Sequence, residues 1–135
     1  MAASSAAFVD SVFVYGLLKR GFSLHHHMAQ GVFAGTATVQ GALCSVGQYP
    51  GLVEGAGMVR GEVYRFADIA IALEVLDEIE EYDPSNPEQS EFVRRVRPAT
   101  FDADKRVVQA WCYVYNRDTK GLAPIKPGVW EQPSP

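Results

Sequence analysis

The sequence predicts an α+β domain: a small, partly closed mixed β-barrel with one main helix packed against it. Three observations carry that reading. Short β-type runs dominate the chain, glycines interrupt them often enough to bend the strands, and only one stretch, Asp68 to Glu81, has helical periodicity. At 135 residues the chain is one domain's worth, long enough to bury a real core, and it is read as a single domain over 1–135 with 1–10 and 121–135 as peripheral tails.

The elements follow in chain order. Val12-Phe13-Val14-Tyr15 is a first strand that stops at Gly16, and Lys19-Arg20-Gly21 is an exposed polar link after it. From Val32 to Gly47 apolar residues alternate with Gly, Thr and Ser. Gly31, Gly35, Gly41 and Gly47 there predict strands that bend or lie under a close backbone neighbour. Tyr49-Pro50-Gly51 is a turn signal, and Met58 to Phe66 a further strand. Asp68 is placed to cap the helix, and Asp83-Pro84-Ser85-Asn86-Pro87 forces a loop after it. Period-2 patterns return at Phe92 to Val96 and Val107 to Tyr115; from Gly121 a tail with four of the eight prolines runs extended over the surface.

Composition removes several classes of function. The 47% hydrophobic and 21% charged fractions are those of an ordinary soluble globular protein. A formal charge of −4, with Lys and Arg scattered apart from Arg94, Arg95 and Arg97, provides no basic stripe for nucleic acid. Met1 to Ala7 has no positive segment ahead of a long apolar run, so neither a signal peptide nor a membrane span is expected and the default compartment is the cytoplasm. Cys44 and Cys112, far apart and outside any CxxC or Cys/His ligand spacing, read as reduced thiols.

Glu80 stands out. A helix turns about 100° per residue, which gathers Ile69, Ala72, Leu73, Leu76 and Ile79 into one stripe and places Glu80 within roughly 40° of Leu76. Glu74, Glu78 and Glu81 fall on the far side and Asp77 on the flank, so four of the five acids read as solvated. Two readings of Glu80 compete: a carboxylate on the apolar face, or a helix end whose acid bends to water. The second feature is Val14-Tyr15-Gly16-Leu17-Leu18, where a glycine directly after a buried strand would let successive backbone N–H groups point outward at an anion. An anion-binding turn and a poised general base are the two parts needed to process a small amino-acid derivative.

Tyr15-Gly16-Leu17-Leu18 with Lys19-Arg20-Gly21, Tyr49-Pro50-Gly51, Gly61-Glu62-Val63-Tyr64, Leu76-Asp77-Glu78-Ile79-Glu80, Phe92-Val93-Arg94-Arg95 and Ala110-Trp111-Cys112-Tyr113-Val114-Tyr115 recur in an order. In that order the chain resembles the γ-glutamylcyclotransferase-like family, most of all its AIG2-like and γ-glutamylamine cyclotransferase branch, from about Val12 to Trp130. The resemblance implies that Tyr15, Gly16, Leu17 and Leu18 bind substrate through the backbone and that Glu80 is the acid-base residue. It implies a reaction in which the α-amine of a small γ-glutamyl amine or peptide attacks its own γ-carbonyl, forming 5-oxoproline and releasing the amine, with no cofactor and no metal. The tethered nucleophile makes neither necessary. Two departures stand against full transfer: Leu17 replaces the small hydroxyl residue of the family's loop, and Phe92 stands where a tyrosine is common. A non-catalytic small-ligand binding protein on the same fold is the competing reading, and an interaction protein using its Pro-rich tail a third.

The remaining residues have plainer readings. His25-His26-His27 lacks spaced partners for a metal, and His25 is expected in a structural or pocket-rim role. Trp111, Tyr113 and Tyr115 are core or pocket wall, Tyr49, Tyr64 and Tyr82 are likewise ambiguous, and Arg94, Arg95 and Arg97 read as an exposed strand's charges.

Overall fold

The structure, a computed structural model, describes residues 9–131; the reading of Met1 to Ala7 and the last four residues of the tail lie outside the described residues. Its strands are β1 (Ser11–Val14), β2 (Val32–Ser45), β3 (Pro50–Arg65), β4 (Phe92–Phe101), β5 (Val107–Tyr115) and β6 (Pro124–Ile125), with one α-helix, α1 (Ile69–Ile79), between β3 and β4. A short 3-10 turn at His25–Met28 leads into β2, and another at Pro87–Gln89 follows α1.

Five strands close a ring. β1 runs antiparallel to β3, β3 to β2, β2 to β4 and β4 to β5, and β5 returns to β1 in parallel through Val12 and Trp111. The predicted mixed barrel with one packed helix is therefore the observed one. The bends fall at glycines as expected: β2 slips register against β3 between Phe33 and Gly35 and between Gln40 and Ala42, and Gly35 and Gly41 take φ of 151° and 154°. A Cβ on Gly41 would also lie 2.8 Å from the Val53 carbonyl oxygen.

Alternation along the strands separates two apolar cores. Phe13, Tyr15, Val39, Leu43, Val59, Val63, Ala110 and Cys112 fill the barrel interior. Val12, Val14, Tyr64, Phe92 and Tyr113 point the other way and meet Leu73 and Leu76 of the helix, with Trp111 and Tyr115 packed at the margin. Because α1 covers its outer face, β1 is buried on both sides, which is why its four residues carry no polar alternation. Asp68 caps α1 by accepting from the Ile71 N–H at 3.2 Å. Cys44 and Cys112 are free and buried.

Four expectations need correction. β3 starts at Pro50, eight residues before the predicted strand; its middle, Glu54 to Met58, is exposed and glycine-rich, which hid it from a hydrophobic pattern. The hairpin bend falls earlier, where the Val46 N–H donates to the Tyr49 carbonyl, and Pro50 opens the strand, a position that tolerates proline. β4 likewise runs on to Phe101. Lys19 is not an exposed link residue: it is 9% exposed, and its Nζ donates to the Trp130 carbonyl at 2.7 Å, tying the tail to the barrel. The tail also adds β6 to β2 at Leu43 and Cys44.

Candidate active site

One end of the barrel is built from the end of β1, the starts of β3 and β4, and the end of α1. These elements enclose a pocket of about 170 Å³. Its lining includes every residue singled out from the sequence: Tyr15, Gly16, Leu17, Leu18 and Glu80. It also includes Tyr49, Glu91, Phe92 and Tyr113, with Leu24, Pro50 and Ile79 as apolar wall. Three carboxylates, Glu80, Glu81 and Glu91, line it, and no Lys, Arg or His among the described residues does.

Both readings of Glu80 are partly right. It is the C-cap of α1, so it does end the helix. The chain then turns sharply: Glu81 takes a left-handed φ of 56°, the Tyr82 N–H donates to the Asp77 carbonyl at 2.8 Å, and the Glu81 N–H donates to the Glu78 carbonyl at 3.2 Å. This pair of bonds is a Schellman closure, normally made with glycine at the left-handed position. The helix end is fastened down instead of frayed, and the Glu80 side chain stays with the apolar face. No side chain among the described residues hydrogen-bonds its carboxyl. Glu80 keeps some solvent contact through the pocket mouth, yet the packing around its carboxyl pushes its pKa up to about 7, first by burial and second by the charge of Glu91.

The turn opposite is built differently from expectation. Gly16 does not use a left-handed φ; a Cβ there would come within 2.9 Å of Pro50 Cγ, so glycine is required by close approach. The Lys19 N–H donates to the Gly16 carbonyl at 3.1 Å and the Leu24 N–H to the Leu17 carbonyl at 3.0 Å, so the turn closes through carbonyls, and the amides of Gly16, Leu17 and Leu18 are not spent in closing it. His25 supports the turn: its Nδ1 donates to the Leu18 carbonyl at 2.9 Å while its ring packs on Tyr64 with 5.8 Å between centroids. Tyr15 sends its side chain into the barrel, where the hydroxyl donates to the Tyr113 carbonyl at 2.7 Å and accepts from the Leu52 N–H at 3.1 Å. Its hydroxyl is therefore a strut between strands, and only its backbone belongs to the turn.

Sequence reasoning missed two groups. Glu91 gave no periodic signal; it accepts from the Tyr49 hydroxyl at 2.6 Å, a bond that pushes the Tyr49 pKa up to about 12. Asp77 was read as solvated and is 8% exposed, accepting from Arg94 Nε at 2.8 Å, Arg94 Nη2 at 3.0 Å and the Tyr113 hydroxyl at 2.6 Å. Its position four residues after the buried Leu73 was the available clue. The expectation for Arg94 falls with it, since the guanidinium is largely buried between Tyr82 and Trp111; Arg95 is exposed as expected. Among the described residues no group of three or more His, Cys, Asp or Glu side chains is arranged to hold a metal ion. No helix among them is long and apolar enough to cross a membrane.

A closed mixed barrel, capped by one helix whose terminal acid shares a pocket with a strand-ending Gly turn, defines the class. The chain belongs to the γ-glutamyl cyclotransferase, AIG2-like family, whose profile matches residues 12–132. It is 32% identical over 120 residues to the γ-glutamylcyclotransferase family protein YtfP of Escherichia coli K12, covering 88% of this chain and 94% of that protein. A relative from Niallia circulans, named as a γ-L-glutamyl-butirosin B γ-glutamyl cyclotransferase, is 32% identical over 113 residues, 82% of this chain and 70% of its own. The solution structure of E. coli YtfP superposes with a TM-score of 0.60 at 34% identity, over 89% of this chain and 95% of that one. The crystal structure of a mouse AIG2-like protein, with a TM-score of 0.68 at 23% identity over 93% and 96% of the two chains, shares the fold.

Proposed function

We propose that this protein is a cofactor-free γ-glutamyl cyclotransferase, with Glu80 as its acid-base residue and the turn from Tyr15 to Leu18 as the cradle for the substrate's anionic group. The carrying observation is the meeting of Glu80 with that turn in one pocket, where its carboxyl is largely desolvated and has no side-chain hydrogen-bond partner among the described residues. Names carried by the relatives support the reaction class.

The chemistry follows from the parts. A γ-glutamyl group carries an α-ammonium, an α-carboxylate and a γ-amide. The lining acids attract the ammonium, and the amides of the Gly16 turn suit the carboxylate or the oxyanion that develops on the γ-carbonyl. As carboxylate, Glu80 takes a proton from the ammonium; the freed nitrogen bonds to the γ-carbon and closes a five-membered ring. The tetrahedral intermediate then breaks its bond to the departing nitrogen, which receives the proton held by Glu80 and the second proton shed by the ring nitrogen. The products are 5-oxoproline and a protonated amine, with no net proton gained or lost. A carboxyl with pKa near 7 suits both halves of this exchange, being a base strong enough to accept and an acid strong enough to return the proton. Leu17 removes a side-chain hydroxyl from the cradle but leaves its N–H, which is the group this mechanism uses.

The test is release of 5-oxoproline from a panel of γ-glutamyl amines and dipeptides, with Glu80→Gln as control. The variant is expected to lose about 10²–10⁴-fold in kcat, the usual weight of a general acid-base group. Turnover that survives Glu80→Gln overturns the mechanism. No turnover with any substrate, accompanied by thermal stabilisation on adding 5-oxoproline, favours the small-ligand binding protein.

A further inference from the structure

Asp77 lies one turn before Glu80, on the same end of α1. Its carboxylate is gripped by a two-pronged bond from Arg94 on β4, at 2.8 and 3.0 Å, and by the Tyr113 hydroxyl on β5, at 2.6 Å. Its carbonyl receives the Tyr82 N–H that closes the chain around Glu80 and Glu81. Arg94 is held in turn between rings, 5.5 Å from that of Tyr82 and 4.7 Å from that of Trp111. Tyr113 belongs to both neighbourhoods, because the residue lines the pocket while its hydroxyl serves Asp77.

We propose that Arg94 and Tyr113, acting through Asp77, are positioning residues for Glu80: they pin the last turn of α1 to the barrel so that the Glu80 carboxyl stays in the pocket with no hydrogen-bond partner. The proposal rests on Glu80 being the working carboxylate. Three features give the clamp this task beyond holding a helix. A buried ion pair adds little stability over a well-packed apolar pair, so its place next to the working turn calls for another reason. The hydroxyl of Tyr113, the one hydroxyl-bearing residue of β5 in the pocket lining, is committed to Asp77 and does not donate to Glu80. The Arg94 charge is matched by Asp77 at contact distance, so a cation close to the site does not hold Glu80 ionised. The groups facing Glu80 are then Glu91 from the loop before β4, Tyr15 at the end of β1, Cys112 and Tyr113 on β5, and its neighbour Glu81.

Arg94→Lys keeps the charge and loses the fork; Tyr113→Phe keeps the ring and loses the hydroxyl. The direct reading is the titration of the Glu80 carboxyl by carbon-13 NMR, assigned with Glu80→Gln and independent of turnover. With the clamp loosened, the midpoint is expected to fall by about one unit toward the ordinary carboxylate value in Arg94→Lys, and by less in Tyr113→Phe. The acid limb of kcat is expected to move with it, and kcat to drop about tenfold with KM within about twofold, as for a misplaced catalytic group. A midpoint unmoved in both folded variants overturns the proposal, leaving the clamp a purely structural element whatever its effect on melting. If Arg94→Lys does not fold, Tyr113→Phe decides alone. Absence of 5-oxoproline release by the wild type would sink the proposed activity, while the carboxyl titration would still judge the clamp.

Discussion

The surroundings of Asp77 and of Glu80 lie one helical turn apart and treat the same functional group in opposite ways. Asp77 is buried and fully matched, with a guanidinium on both oxygens and a phenol on one. Glu80 is less covered, keeping contact with solvent at the pocket mouth, yet it is given nothing but the nearby charge of Glu91. Burial by itself therefore says little about a carboxylate. What its neighbours donate decides whether it is a permanent anion that holds structure or an acid free to exchange protons near neutrality.

The two ends of the barrel repeat this contrast on a larger scale. The hollow at the opposite end, between the starts of β1, β2 and β5, is larger, at about 500 Å³. Its charges are of both signs, and Asp10 and Arg65 pair at 3.6 Å on exposed side chains. The smaller pocket, at 170 Å³, holds the unpaired acid. Size and chemistry separate cleanly.

The sharpest way to break the contrast is to unmatch Asp77's partners. Asp77→Ala leaves a largely buried guanidinium and phenol without an acceptor, and is expected to cost about 3–5 kcal/mol in unfolding free energy. Urea titration measures it. Glu80→Gln should behave in the opposite sense, because it removes a charge the fold disfavours. The folded-state pKa of Glu80, about 7, lies above its ordinary 4.5, so the folded protein binds the extra proton and loses stability as pH rises from about 4.5 to 7. Below that window the variant and wild type should differ least; by pH 8 the variant should gain about 1–3 kcal/mol relative to wild type, the full shift being discounted for the open mouth of the pocket. Paired denaturant curves at pH 4 and pH 8 read this directly, and a difference that does not change with pH refutes the raised pKa. The smallest effect concerns the turn between the two acids. Glu81 holds a left-handed φ of 56° that a side chain disfavours, so Glu81→Gly should stabilise by about 0.5–1 kcal/mol, seen as a rise in Tm.

Much of the fold was readable because its causes are local. The stripe from Ile69 to Ile79, the Asp68 cap, and the glycines that bend β2 each act over a few residues, and each appears where the pattern placed it. The long β3 was legible only in its second half, because its exposed, glycine-rich middle, Glu54 to Met58, breaks the alternation and separates the buried start at Pro50 to Leu52 from the rest. In the site, Glu80 and the turn after β1 were visible from a helical wheel and a strand-ending glycine. Glu91 was not, since a single acid before a strand resembles any loop residue until Tyr49 lies 2.6 Å away.

By itself, then, the sequence determined a helix with an acid at the end of its apolar face, a buried strand that must stop at Gly16, and a set of bending strands able to close. Periodicity and steric preference operate over a turn or a pleat, so neighbours in sequence suffice to reveal them. Only the tertiary structure decided that Gly16 is needed for the approach of Pro50, that Asp77 belongs to Arg94 and Tyr113, and that the Glu80 carboxyl has no hydrogen-bond partner among the described residues. Those outcomes depend on partners 17 to 36 residues away, and in the third case on the lack of one. Which charges are neutralised, and which left poised, is set when the barrel closes and brings them together.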